Sequence, residues 1–196
     1  MKYLVLFVTI FILTAKKSYA QFDFRNDTAF IEVFGTLKNQ IDTTYTLTKD
    51  FDFEFRFWIN YGKLTGTALF VLTNRNNKWS ARLFKRQTHP EINLSEIKVS
   101  NENLNTLWAK LNANHILSIK NSYELKDRNG NYADIKIYDG TSFYFELITK
   151  TKRRNYFYHC PKDCREEYKY IREYKWVLNI INLIYKHCKL DPNSIC

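Results

Sequence analysis

The chain has 196 residues and a formal net charge of +10, with 15 Phe, 14 Tyr and 4 Trp against 5 Gly and 3 Pro. So aromatic a composition, with so few chain breakers, excludes collagen-like, low-complexity and intrinsically disordered proteins. The length suits one domain, which would bury about 70% of its unfolded surface.

Residues 1–20 read as a secretory signal peptide. Met1-Lys2 gives a short basic start, Tyr3 to Ala15 is an uncharged apolar run, and Ser18-Tyr19-Ala20 has the small-x-small pattern of a signal-peptidase site. The apolar run is shorter than the roughly 20 residues a membrane helix needs. The expected mature chain is therefore a single domain over residues 21–196, periplasmic or secreted, with no transmembrane helix after signal cleavage. Lys16 and Lys17 fall late in the leader, which keeps an uncleaved anchor as the alternative. Loss of the leader leaves 27 bases against 20 acids. That excess could attract a polyanion, but coding bias gives a simpler origin: Lys, Asn, Ile, Tyr and Phe abound while Gly, Pro and Ala are scarce.

Within the domain, Asp27 can cap a helix that buries Phe30, Val33, Phe34, Leu37 and Ile41. Phe51, Phe53, Phe55, Phe57 and Ile59 then alternate with Asp52, Glu54, Arg56 and Trp58. Period two marks a strand with one buried face, and each buried Phe contributes roughly 1.5–3 kcal/mol. The charged face is expected to be wet, apart from Trp58. Gly62 to Gly66 reads as a turn, Thr67–Thr73 as a central strand, Asn74–Lys78 as a second turn and Trp79–Arg86 as a third strand. Thr88-His89-Pro90 is a loop. Leu104, Leu107, Trp108 and Leu111 form one stripe of a helix from about Asn101 to Asn112, with Ser100 as its cap. Strands over Tyr132–Tyr138 and Thr141–Thr149 flank Asp139-Gly140, a strong hairpin signal, and Asn155–Cys160 adds a third. Asp163 and Glu166 then suggest a capping box for a long C-terminal helix carrying Ile171, Tyr174, Leu178, Ile181, Tyr185 and Cys188. The expected fold is α+β: an antiparallel sheet of about six strands in two three-strand meanders, packed by helices that include the long C-terminal one.

Cys160, Cys164, Cys188 and Cys196 all lie in the last stretch of the chain, and export points to disulfides. A single helix from Cys164 to Cys188 would hold those two about 36 Å apart, far beyond the roughly 7 Å a bridge allows. Spacing favours 160–164 with 188–196; pairing 160–188 with 164–196 survives if the strand ending at Cys160 runs back along the helix. The same residues with His159 and His187 match no common zinc spacing, so no metal and no cofactor is expected. There is no G-x-S-x-G and no phosphate-cradling glycine loop.

The remaining binding signal is Lys150, Lys152, Arg153 and Arg154 beside Tyr156, Phe157 and Tyr158, a possible anion site in which bases neighbour stacking rings. Its plainer reading is a solvated hairpin tip leading into a core strand. No catalytic residue is selected by spacing. The reading that follows is an exported, non-enzymatic binding or structural protein with a protein or ligand partner in the cell envelope, nucleic acid not being expected. The alternative is a secreted hydrolase acting on a polyanion such as RNA or acidic polysaccharide.

Overall fold

The computed structural model describes residues 22–26, 50–60, 67–87, 93–133, 140–192 and 195. The leader, the helix expected from Asp27, the 62–66 turn, the loop at Thr88–Pro90, Asp139 and Cys196 lie outside the described residues. The described chain forms one antiparallel six-stranded sheet. Its strands are β1 (Phe53–Asn60), β2 (Thr67–Arg75), β3 (Lys78–Gln87), β4 (Asn93–Ile97), β5 (Ser142–Thr149) and β6 (Arg153–His159), in the spatial order β4-β3-β2-β1-β5-β6. The helices are α1 (Leu104–Ala113), α2 (Pro161–Glu167) and α3 (Arg172–Cys188), with a 3-10 turn at Ser122–Glu124. The class is α+β, as the hydrophobic periodicity requires. None of the described helices is long and apolar enough to cross a membrane.

The phenylalanine strand is the sheet's central ladder. Phe53, Phe55, Phe57 and Ile59 are wholly buried, and the antiparallel register sets them opposite Asn74, Leu72, Phe70 and Ala68 on β2 and Thr149, Leu147, Phe145 and Phe143 on β5. Side chains directly and diagonally across a ladder stand close enough to pack: Phe57 tilts against Phe145 directly opposite at 5.0 Å, and on the diagonal it stacks on Phe143 at 5.7 Å while Phe55 stacks on Phe145 at 6.3 Å. Two helices cover this face. Trp108 of α1 packs on Phe53 at 4.9 Å, and Tyr185 of α3 meets Phe143 edge-on at 6.4 Å.

The opposite face departs from expectation. Glu54 and Arg56 are 2% and 6% exposed, so the charged side of β1 is not wet. A strand read alone shows charges; the sheet shows their partners. Arg56 donates to Glu54 Oε1 at 2.6 Å and faces Glu146 of β5 in register, while the Thr73 hydroxyl donates to Glu54 Oε2 at 3.3 Å. Trp58, Leu69, Val71 and Phe84 complete a buried apolar surround. Charges enclosed this way must be paired, because an isolated buried charge costs far more than any packing gain.

The six strands are distributed as a four-strand meander and a hairpin. Polar β4 carries no alternating apolar signal. It is held at the sheet edge by a bidentate Arg82–Glu96 pair, both bonds at 2.8 Å, which keeps the Glu96 carboxyl below its ordinary range. Where β4 ends, Asn101 Oδ1 takes the Ala81 N–H at 2.8 Å and extends the ladder by one bond. Of the strand expected over Tyr132–Tyr138, Tyr132 forms a single bridge with Lys126, and residues 134–139 lie outside the described residues. Helix α1 buries its expected stripe, although it begins at Leu104 after a left-handed Asn103; Ser100 bonds the Glu102 N–H instead of capping the helix. The long C-terminal helix is two helices. Pro161 starts α2, Tyr168 N–H closes it on Cys164 O at 2.8 Å, and α3 restarts after Ile171. The break lets Ile171 and Tyr174 both turn into the core.

The inner face of β6 is the least conventional part of the packing. Arg154, Tyr156 and Tyr158 are all buried, and each projects a donor at the irregular segment after α1. Arg154 donates to Leu117 O at 2.5 Å and to Ile119 O; Tyr156 donates to Ile116 O at 2.9 Å and Tyr158 to Lys120 O at 2.5 Å. Removing one donor strands a buried carbonyl. Tyr156→Phe should therefore cost about 1–3 kcal/mol in denaturant unfolding, whereas Tyr132→Phe, at a position 64% exposed, should stay within about 0.5 kcal/mol of the parent.

Candidate functional site

The possible anion site does not assemble as a patch of four bases. Lys150 and Thr151 are the central residues of the β5–β6 turn, where Thr149 N–H donates to Lys152 O at 2.8 Å and Lys152 N–H to Thr149 Oγ1 at 2.9 Å. From that tip Lys152 meets Asp23 at 2.5 Å and Lys150 stands 3.9 Å from Asp52. Arg153 is half-exposed, 4.0 Å from Glu146. Arg154 is buried and spends its guanidinium on backbone carbonyls, and the rings of Tyr156 and Tyr158 are core. Phe157 alone of the three rings faces the other way, tilted against Tyr144 at 4.6 Å and stacked with Tyr123 at 5.7 Å.

What the Lys150 tip does build is one wall of a cleft. The opposite wall is the β2–β3 tip, where Asn76 and Asn77 take φ of 50° and 61°. Consecutive left-handed residues make the two-residue turn whose twist matches its strands, and Asn is among the few residues that tolerate it. Asp52 holds this tip to β1, its carboxylate accepting the Asn76 N–H at 2.7 Å. The floor comes from the segment Phe22–Asn26. Phe22 stacks on Phe53 at 4.4 Å and touches Trp79 edge-on at 5.9 Å, Phe24 is buried, Arg25 pairs with Glu124 at 2.9 Å and Asn26 accepts the Arg153 N–H at 2.8 Å. The resulting cleft has a volume of about 510 Å³ and is lined by Phe22, Asp23, Asp52, Asn74, Asn76, Asn77 and residues 149–152.

One lining residue lies deeper than the rest. Asn74 is 2% exposed, on the phenylalanine face of β2, and its side-chain amide makes no hydrogen bond among the described residues. The charges around it balance: two aspartates, two lysines. Hydrogen bonding by Lys152, reinforced by its charge, holds the Asp23 carboxyl below its ordinary value, so the balance persists into mild acid. Sequence reasoning missed this site because its parts come from four separate stretches. The only local signal was the Asn-Asn turn.

The cysteines are placed differently from expectation. Cys164 and Cys188 are buried thiols that take part in no disulfide. Each full pairing of four cysteines would bond both, so neither the local arrangement nor 160–188 with 164–196 forms, and no two of the described cysteines are joined. Cys164 Sγ lies 3.6 Å from His159 O. Burial pushes the Cys188 thiol up to about 12, which leaves negligible thiolate at neutral pH. Cys160 sits at the left-handed junction before Pro161 and is buried. The described histidines are dispersed: His115 against Trp176 at 4.1 Å, His159 Nδ1 2.9 Å from Ser142 Oγ, and His187 Nε2 2.9 Å from Ser100 O. Among the described residues no three His, Cys, Asp or Glu side chains converge on a metal position. No protein-family model matches the chain, and no curated protein matches it.

Two outcomes follow. Cys164 and Cys188 should resist alkylation in the native protein and react fully in denaturant, with mass spectrometry counting the labels. The Asp23 pair contributes above the ordinary aspartate range and is lost as pH falls through its lowered pKa. In Lys152→Gln, carbon-detected NMR should find Asp23 titrating higher than in the parent, back near 3.8.

Proposed function

We propose that the protein is an exported, non-enzymatic binding protein whose ligand seats in the cleft between the β2–β3 and β5–β6 tips. The observation that carries this reading is the cleft itself, about 510 Å³, walled by two tight turns whose asparagines, lysines and Thr151 line it. This concave space falls in the roughly 300–1,000 Å³ range of small-molecule sites and sits on two turns and a strand fixed by hydrogen bonds. Preorganised polar groups of this kind bind without first paying an ordering cost. Export rests on the leader read from residues 1–20, and a cell-envelope ligand or partner follows from it. The hydrolase reading calls for convergent acid and base groups facing a cavity; among the described residues the histidines stand apart, each with its own contact.

The test is a screen of the purified, ¹⁵N-labelled protein against a fragment library, read as amide shift changes. Hits should cluster on Asn76, Asn77, Lys150 and Thr151, and should disappear in Asn74→Leu. That variant should melt within a few degrees of the parent, because the Asn74 side chain makes no hydrogen bond to another described residue. Loss of the hits together with a lower melting temperature would make Asn74 structural, and hits clustered elsewhere would move the site.

A further inference from the structure

We infer that Cys160 and Cys196 are joined by a disulfide, a single covalent clamp that ties the segment after α3 to the end of β6. The cysteines leave one pairing. The sequence holds four; Cys164 and Cys188 take part in no disulfide, whereas the Cys160 sulfur is bonded in one and does not titrate. Cys196 is the cysteine that remains. Cys160 is wholly buried and continues the buried series Arg154, Tyr156 and Tyr158 one step past β6. Its N–H still donates to Thr141 O at 3.1 Å, which keeps it in line with the ladder, and its carbonyl accepts the Cys164 N–H at 3.1 Å as α2 begins. The sulfur therefore stands on backbone fixed from both sides.

The course of α3 allows the closure. The helix crosses the sheet from β6, where Tyr174 meets Tyr158 edge-on at 5.9 Å, to β2, where His187 meets Phe70 edge-on at 6.1 Å. In the order β2-β1-β5-β6 that is three strand spacings, about 14 Å. Lys189 then takes a φ of 54° and the Leu190 N–H closes on Tyr185 O at 2.9 Å, which ends the helix and turns the chain. Residues 190–196 can reach about 23 Å, more than the return needs. Ile195 is buried in the same core as Tyr174 and Tyr185, so the segment has come back to the protein one residue before Cys196. The rival thiols are less well placed: Cys188 follows His187 on the β2 side, and Cys164 is buried with its Sγ 3.6 Å from His159 O. The bond forms by exchange with an external disulfide. One cysteine thiolate attacks it, the other displaces the mixed disulfide, and the reagent leaves as two thiols carrying the two hydrogens the protein has lost. An oxidising compartment supplies such a reagent, which links the clamp to the leader read from residues 1–20.

To test this, the purified protein is equilibrated with oxidised glutathione, denatured, alkylated with N-ethylmaleimide and weighed by mass spectrometry, with and without reductant. Two labels are expected before reduction and four after it. A proteolytic map made without reductant should contain one linked pair of peptides, carrying Cys160 and Cys196. Four labels before reduction, glutathione adducts in place of the bridge, or a linked pair containing Cys164 or Cys188 would each overturn the assignment. Cys196→Ser should lower the melting temperature by roughly 10 °C, since the lost bridge closes a long loop, and the difference should vanish when both proteins are reduced. An unchanged melting temperature would show that the bond clamps nothing. If the variant folds poorly, the peptide map of the parent protein still decides the pairing.

Discussion

Three donors on the inner face of one edge strand hold together the half of the molecule that has no ladder. The segment after α1 leaves its helix through a left-handed His115 and runs to Lys120 without strand or helix pairing. Its carbonyls at residues 116, 117, 119 and 120 are instead met by Arg154, Tyr156 and Tyr158. Buried backbone groups must be paired somewhere, and here an alternating strand face does what a neighbouring strand would otherwise do. Burial pushes the phenols of Tyr156 and Tyr158 up, so these donors keep their protons across any physiological pH. The guanidinium of Arg154 can be buried only because oxygen atoms surround it. This arrangement fixes the end of α1, and through Trp108 it fixes the packing over Phe53 and Phe22 that floors the cleft.

That dependence separates the two ends of the sheet. The phenylalanine face and the donor face of β6 are closed, so substitutions there read out as stability. At the hairpin end the polar groups sit on turns rather than in the core. Tight turns of two residues leave little conformational freedom, so the cleft keeps its shape without a ligand. The charge-paired interior on the second face is a different case: Glu54, Arg56 and Glu146 are enclosed, and their role is to let a sheet with charges on its central strand remain closed on both sides.

Much of this was legible from periodicity. The phenylalanine strand, the Leu104–Leu111 stripe, the C-terminal apolar repeat and the α+β class all follow from spacing, since burial of one face leaves a local mark in sequence. What failed were properties that exist only between strands. Charges on Glu54 and Arg56 signal water when β1 is read alone, and become a buried pair only with Thr73 and Glu146 across the ladder. Polar β4 has no apolar alternation because Arg82 and Asn101, not burial, keep it in place. The helix break at Tyr168–Ile171 carries neither Gly nor Pro; it reflects where Ile171 and Tyr174 have to point. The cysteine pairing was argued from a helix that proved to be two, and Cys164 and Cys188 end as buried thiols, one on each of them.

The candidate site also shows why net charge was a poor guide to the ligand. A strongly basic chain invites a polyanion, and KTKRR followed by aromatic residues gives that idea a local address. Folding disperses it. One arginine enters the core to serve carbonyls, another lies beside Glu146, and the two lysines at the tip meet aspartates brought from positions 23 and 52. Long-range charge can still raise encounter rates with anionic surfaces, but selection among ligands happens at contact distance. At that distance the cleft offers paired charges, amides, hydroxyls and one ring. A binding site is defined by what the fold leaves facing the solvent, and in this cleft the two lysines face it already beside aspartates.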